Sequence, residues 1–412
     1  MSAISYFLSY PTAEGYSDFI EITDDILSSS AGNIKQNLEA NEYDVGKITF
    51  DNTKIVLRNE HSAYSEAINP SSIFEYKRDE TIIKIEWNFN TYGIACGDPE
   101  CGNTFLSNPR VLFKGMIEDN STSFDVKSQT ITFKILSLDS IINKVETPYS
   151  DLLITDDAET LVYKILNQQK ITQFFNVETA NISLPNNFTA DDIISLEGTN
   201  CLEALQDILT MANGIMYVKD DICHVRSRTP DVDSSFIFYG PSSDEGIENI
   251  ENISSYSTGL NRCFNYWFWE DDNVNINQSF SDSISFHGER RKGLFSKLIT
   301  DTGKITAVLT SYLFEFGFPA TELTLTAPMY TPIVDLEFLN KVNIDYPSDV
   351  LPIANDSTTR YAQSRYGDGP DGGIYARTIN SLFISSDQNW KILNININQK
   401  GQKVTFKLRE VL

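Results

Sequence analysis

Cys96 and Cys101, in the segment ACGDPECGNTF, are the first residues of this chain whose type and spacing suggest chemistry. Thiolates hold zinc and iron–sulfur clusters, but such centres need about four good ligands. The other cysteines, Cys201, Cys223 and Cys263, stand far off in the sequence. Unpaired thiols, a local disulfide and a bound metal all stay open for the pair, and no metal ligand is assigned. The histidines are His61, His224 and His287. The chain contains neither an H-E-x-x-H pair nor a G-x-S-x-G nucleophile turn, so each histidine reads as a surface or satisfied core residue. The segments YGDGPDGG (366–373) and DNSTSFD (119–125) offer oxygen donors but lack the spacing of an EF-hand or of glycine-rich calcium repeats. Turn formation accounts for them. The expectation is no catalytic residue, no metal site, no cofactor and no enzymatic activity.

Charge narrows the partners. The 412 residues carry 57 acids against 32 bases, a formal charge of −25. Phosphate contacts need Lys and Arg, so stable nucleic-acid binding is not expected. Ordinary solubility explains an acidic surface, and so does a surface past which DNA must slide without sticking. No run of 18 apolar residues is present, so no membrane-spanning helix is expected. The start MSAISYFLSYPTAEGY lacks the basic region and sustained apolar stretch of a secretory signal. The one dense basic run, GERRKGLFSK (288–297), reads as a solvated face or as a contact with an acidic neighbouring subunit.

Short alternating segments dominate the elements. Val45–Phe50 alternates and an Asp51-Asn52 turn follows; Thr81–Phe89 places Ile83, Ile85 and Trp87 on one face. Asp156 or Asp157 is placed to cap a helix AETLVYKILNQQ, and CLEALQDILTMAN repeats its apolar residues at helical spacing up to Gly214. A strand with an Asp220-Asp221 turn follows. Residues 231–260 are polar and show no period. In FNYWFWE (264–270) both faces are aromatic, which fits a strand covered on two sides or a sugar-stacking platform. A helix is expected from about Asp301 to Phe318.

Two distant hairpins echo each other. RVLFKGMIEDNSTSFDVKSQTITFKILSL (110–138) and NWKILNININQKGQKVTFKLREV (389–411) each run strand, polar turn, strand, and each second strand reads (I/V)TFK(I/L). Ile131, Phe133 and Ile135 alternate with Thr132 and Lys134, as Val404, Phe406 and Leu408 do with Thr405 and Lys407. One β unit used twice is the expectation.

The order of segments resembles the tail hub proteins of tailed phages and related injection particles. KITFDN (47–52) and VLFKGMI (111–117) match the family's early strands, and ANGIMYV (212–218) with VRSR (225–228) its helix–strand step. HGERRKGLFSKLITD (287–301), ELTL (322–325) and the closing stretch from Trp390 through Val411 complete the series. The insertion at 90–108 and the long loop 348–375 depart from the pattern, and no appended lytic or fibre domain is expected.

The resemblance implies a mainly β chain with an α+β insert. Residues 1–150 would form a first tube-like β-barrel domain, 151–230 a small α/β domain, 231–320 a β-rich domain with a helix, and 321–412 a second barrel that draws strands from 261–300. Such a chain would be a structural virion protein at the tail tip, a homotrimer presenting six barrels around the DNA exit channel. It would adapt a six-fold tail tube or distal tail ring to a three-fold tip, with the tape-measure protein and a spike or fibre as neighbours. A carbohydrate-binding β-sandwich protein, secreted or in the virion, is the alternative from another class.

Overall fold

The computed structural model describes residues 3–27, 33–38, 48–64, 80–88, 109–118, 121–148, 151–228, 234–240, 248–271, 274–346, 384 and 387–411. Cys96, Cys101, the insertion 90–108 and the loop 348–375 lie outside them.

The N-terminal unit is built from β1 (Ala3–Ser9), β2 (Ile20–Glu21), β3 (Ile34–Asn37), β4 (Asn52–Arg58), β5 (Ile82–Asn88), β6 (Arg110–Ile117), β7 (Ser123–Asp125) and β8 (Thr130–Ser137). Alternation decides the faces. Thr53, Ile55 and Leu57 of β4, Ile83, Ile85 and Trp87 of β5, and Ile131, Phe133 and Ile135 of β8 are buried. The order is β3-β4-β8-β6-β5-β1-β2, and β7 adds to β8. The sheet then curls back on itself. Ile26 bridges Leu57 of β4, and the Leu27 N–H donates to the Val56 carbonyl at 2.9 Å. Asn52 opens β4 instead of forming the expected turn, because Asn52–Arg58 continues an alternating strand paired along β8.

An α/β insert follows: α1 (Ala158–Leu166), α2 (Cys201–Ala212) and the hairpin of β9 (Gly214–Lys219) and β10 (Ile222–Ser227). The Asp157 carboxylate caps α1 by accepting the Thr160 N–H, and the Asn200 side chain caps α2 through the Leu202 N–H. Helix α2 ends on Asn213 in the left-handed region, ahead of Gly214.

The C-terminal unit is assembled from strands on both sides of a second insertion. It contains β11 (Ser234–Tyr239) and β12 (Asn252–Ser257). The insertion comprises β13 (Tyr266–Trp269), β14 (Asn277–Ser279), α3 (Ser281–His287), β15 (Arg291–Leu294) and α4 (Thr302–Phe316). The unit resumes with β16 (Glu322–Pro328), β17 (Lys341–Asp345), β18 (Asn389–Asn398) and β19 (Lys403–Glu410). Its order is β12-β16-β19-β18, with β17 on β18 and β11 on β17. The two units join in one sheet through β3, whose Ile34–Asn37 pair with Ile397–Asn394 of β18.

These pairings redraw the expected partition. β11 and β12 fall in the segment 231–320 yet hydrogen-bond to β17 and β16 of the C-terminal unit. β13, β14 and β15 form a separate three-stranded sheet and give the large sheet no strand. Their Trp267 and Trp269 pack with α1, α2 and α4 in one core, so the two inserts share a single hydrophobic interior. The physical reason is burial. The amphipathic helices have an apolar face to cover, and the short sheet covers it.

The hairpin echo extends to whole units. Chain order and sheet order match strand for strand: β1 with β11, β3 with β12, β4 with β16, β5 with β17, β6 and β7 with β18, and β8 with β19. Superposing TFK on TFK puts Phe133 with Phe406, whose partners Ile55 and Leu325 then coincide. The Leu27 N–H bond to Val56 has its counterpart in the Glu251 N–H bond to Thr326, at 2.8 Å. Two strands depart: β2 has no counterpart among the described strands, and β1 is antiparallel to β5, whereas β11 is parallel to β17.

Candidate assembly interface

Polar groups concentrate where the bodies meet. Glu315, on the last turn of α4, accepts Lys391 Nζ of β18 at 3.0 Å and Arg228 Nε at 3.4 Å through one oxygen. The Arg409 guanidinium donates to the Glu315 carbonyl at 3.4 Å, and Lys391 Nζ also reaches the Arg228 carbonyl at 3.2 Å. Burial pushes the Glu315 carboxyl up, but Lys391, Arg228 and Arg409 together outweigh it and hold the group at about 2. A second set, Arg262–Glu322–Lys407, adds contacts of 3.2 Å on each side of Glu322. Paired buried charges of this kind fix orientation more than they add stability.

A cleft of about 440 Å³ lies where β6, the β9–β10 hairpin and residues 333–338 converge. Its rim carries ion pairs between bodies: Lys114 with Asp221 at 2.6 Å, and Lys219 with Glu337 at 2.7 Å. Asp51 lines it and Asp139 lies close by. Burial raises Asp139 to about 6, and burial with the nearby Asp139 charge pushes Asp51 up as well.

Among the described residues, those singled out for chemistry do not converge. Among the described residues no group of three or more His, Cys, Asp or Glu is placed to hold a metal ion. Cys201, Cys223 and Cys263 are buried thiols, and burial pushes Cys201 up to about 11, away from thiolate reactivity. His224 stacks on Tyr217 at 5.3 Å, with burial lowering its pKa. His61 sits in a turn with φ 56°, and His287 ends α3. Asp125 accepts the Lys127 N–H at 2.9 Å and so serves its own turn. The segment 366–373 lies outside the described residues.

The basic run is engaged locally. Arg290 Nη1 donates to the Leu260 carbonyl at 3.0 Å, Arg291 pairs with Glu289, and Lys292 lies 5.7 Å from the Phe264 ring. All four tryptophans, Trp87, Trp267, Trp269 and Trp390, are at most 5% exposed, so none forms a sugar-stacking platform. Exposed apolar side chains include Phe124 of β7, Val126, Ile194 and Tyr256 of β12, and Phe286 and Phe314 of the insertion. No helix among the described residues is long and apolar enough to cross a membrane.

Comparison with solved structures gives the class of fold. The chain superposes on a tail protein from Neisseria meningitidis MC58 with a TM-score of 0.56 and 11% identity, covering 99% of this chain and 96% of that one. It superposes on the 43 kDa tail protein of prophage MuSo2 from Shewanella oneidensis with a TM-score of 0.53 and 8% identity, over 98% and 97% of the two chains. The fold is that of phage tail proteins. No family model matches the sequence, and no curated protein matches it.

Proposed function

We propose that this chain is a structural component of a phage-type tail, the hub at its tip, and that it acts without bond chemistry. The observation that carries the reading is the six-position β unit used twice in one chain with matching strand order. A homotrimer of such chains offers six similar units to a six-fold tube or distal tail ring while keeping three-fold symmetry for a spike or fibre below. Whole-length agreement with the fold of two tail proteins supports it. The tape-measure protein is the expected neighbour inside the tube. The formal charge of −25 suits a channel that DNA traverses, since like charge disfavours adhesion. The ion clusters at Glu315 and Glu322 serve this role by fixing the helical insert against the C-terminal unit.

The test is assembly. Native mass spectrometry and negative-stain images of the purified chain, alone and with its tube-side neighbour, are expected to show trimers and three-fold rings. A chain that stays monomeric in both conditions would end the proposal.

A further inference from the structure

The strand that joins the two units within the chain supplies a template for joining one chain to the next. β3 leaves the edge of β4 and pairs with the distal arm of β18, setting Ile34 directly opposite Ile397. Both side chains are buried, at 0% and 4% exposure.

Each partner has a counterpart in the other unit, and the registers identify it. Lys35 pairs with Asn52 and Ser257 with Glu322, and Asn52 and Glu322 lie three residues before the equivalent Ile55 and Leu325. Tyr256 is therefore the counterpart of Ile34. Val404 pairs with Ile397 and its equivalent Ile131 pairs with Phe124, so Phe124 is the counterpart of Ile397. Within one chain these two counterparts belong to different strands, one at the end of the strand order and one off its path. β12 ends the strand order and pairs with β16 alone among the described strands, and β7 pairs with β8. Their side chains are 52% and 45% exposed where the template pair is buried.

We infer that β12 of one copy pairs with β7 of the next, setting Tyr256 against Phe124 as Ile34 is set against Ile397. The occupant of the β12 edge is a second copy of this chain. β12 reads NISSYS, without the charges or proline that guard an edge strand from pairing. The contact is head-to-tail, each copy giving a β12 and receiving at its β7, and such a contact closes into a three-membered ring when each copy is turned one third of a revolution from the last. Three copies then alternate six units joined by like junctions, three within chains and three between them. The inference rests on the trimeric reading above and names its interface.

Cross-linking and charge exchange test it on the full chain. The double variant Phe124→Cys/Tyr256→Cys, mildly oxidised, is expected to run as a covalent trimer on a non-reducing denaturing gel. Phe124→Cys or Tyr256→Cys alone should give no cross-link above the wild-type background. Phe124→Lys or Tyr256→Glu should each weaken the trimer about tenfold or more, and the two together should regain most of that loss. Melting curves check that each variant is folded. A wild-type trimer whose double cysteine variant fails to cross-link, with both charge variants trimeric as before, overturns the β12–β7 contact and leaves the trimeric hub standing. A wild-type chain that is monomeric alone and with its neighbour overturns both.

Discussion

Glu315 Oε1 lies 3.0 Å from Lys391 Nζ, a carboxylate of the helical insert meeting an ammonium of the C-terminal sheet 76 residues along the chain. Arg228 and Arg409 complete the set, so three cations surround one carboxylate and its carbonyl. Removing the single anion leaves three like charges facing one another with little water. Glu315→Ala should therefore lower unfolding stability by about 3–5 kcal/mol, read as a shift in the urea midpoint. Lys391→Met, which leaves the two guanidinium groups on Glu315, should cost clearly less.

The same carboxylate sets an acid limit. Its pKa is about 2 in the folded chain against 4.5 as its ordinary value, so its contribution is complete above roughly pH 4.5. Protonation between those values removes up to about 3 kcal/mol as pH falls. Stability measured from pH 6 down to pH 2.5 should decline more steeply in the wild type than in Glu315→Gln.

Asp139 acts in the opposite direction. Burial raises its carboxyl from 3.8 to about 6, so the folded chain keeps a proton that the unfolded chain releases. Stability is lost as pH rises from about 4 to 6, by up to about 3 kcal/mol. Asp139→Asn removes the ionisation, so the variant should gain on the wild type at pH 7.5 and lose that advantage at pH 4. A urea midpoint that moves equally at both pH values would contradict this account.

Gly259 makes the turn that carries the chain from β12 into the helical insert. Its φ is +66°, and a Cβ there would collide with the Ala320 carbonyl oxygen. Gly259→Ala should cost about 1–3 kcal/mol or more, with strain and backbone clash acting together. Thermal melting and the yield of soluble protein report it.

Asp301 caps α4 by accepting the Gly303 N–H at 2.9 Å and the Lys304 N–H at 3.0 Å. Asp301→Ala should lower stability by about 1 kcal/mol, and Asp301→Ser should restore most of it.

Much of the local structure could be read from residue order. Of the two candidates Asp156 and Asp157 it is Asp157 that caps α1, the helix expected from about Asp301 begins there with Asp301 as its cap, and the helix over Cys201–Ala212 follows from its apolar spacing. Alternation in Ile82–Asn88 and in the two TFK strands assigns their buried faces. β12 was not legible. An exposed edge strand such as NISSYS has no buried face to impose an alternation, so its sequence reads as polar loop. The tryptophan strand was legible only in part: Trp267 and Trp269 are buried, whereas Tyr266 and Phe268 are partly exposed. The candidate interface was hidden for a related reason, since neither Phe124 nor Tyr256 stands out until register equates them with Ile397 and Ile34.

The sequence by itself determined the β character, the helical stretches and the repeated hairpin, because each depends on neighbours a few residues apart. Tertiary structure alone decided that 234–257 joins 322–410 across an intervening insert, and that β3 bridges the units. It also gathered Arg228, Glu315, Lys391 and Arg409 into one cluster. Strand pairing and ion pairing at such separations depend on which distant surfaces close on each other, and no short-range periodicity encodes that choice.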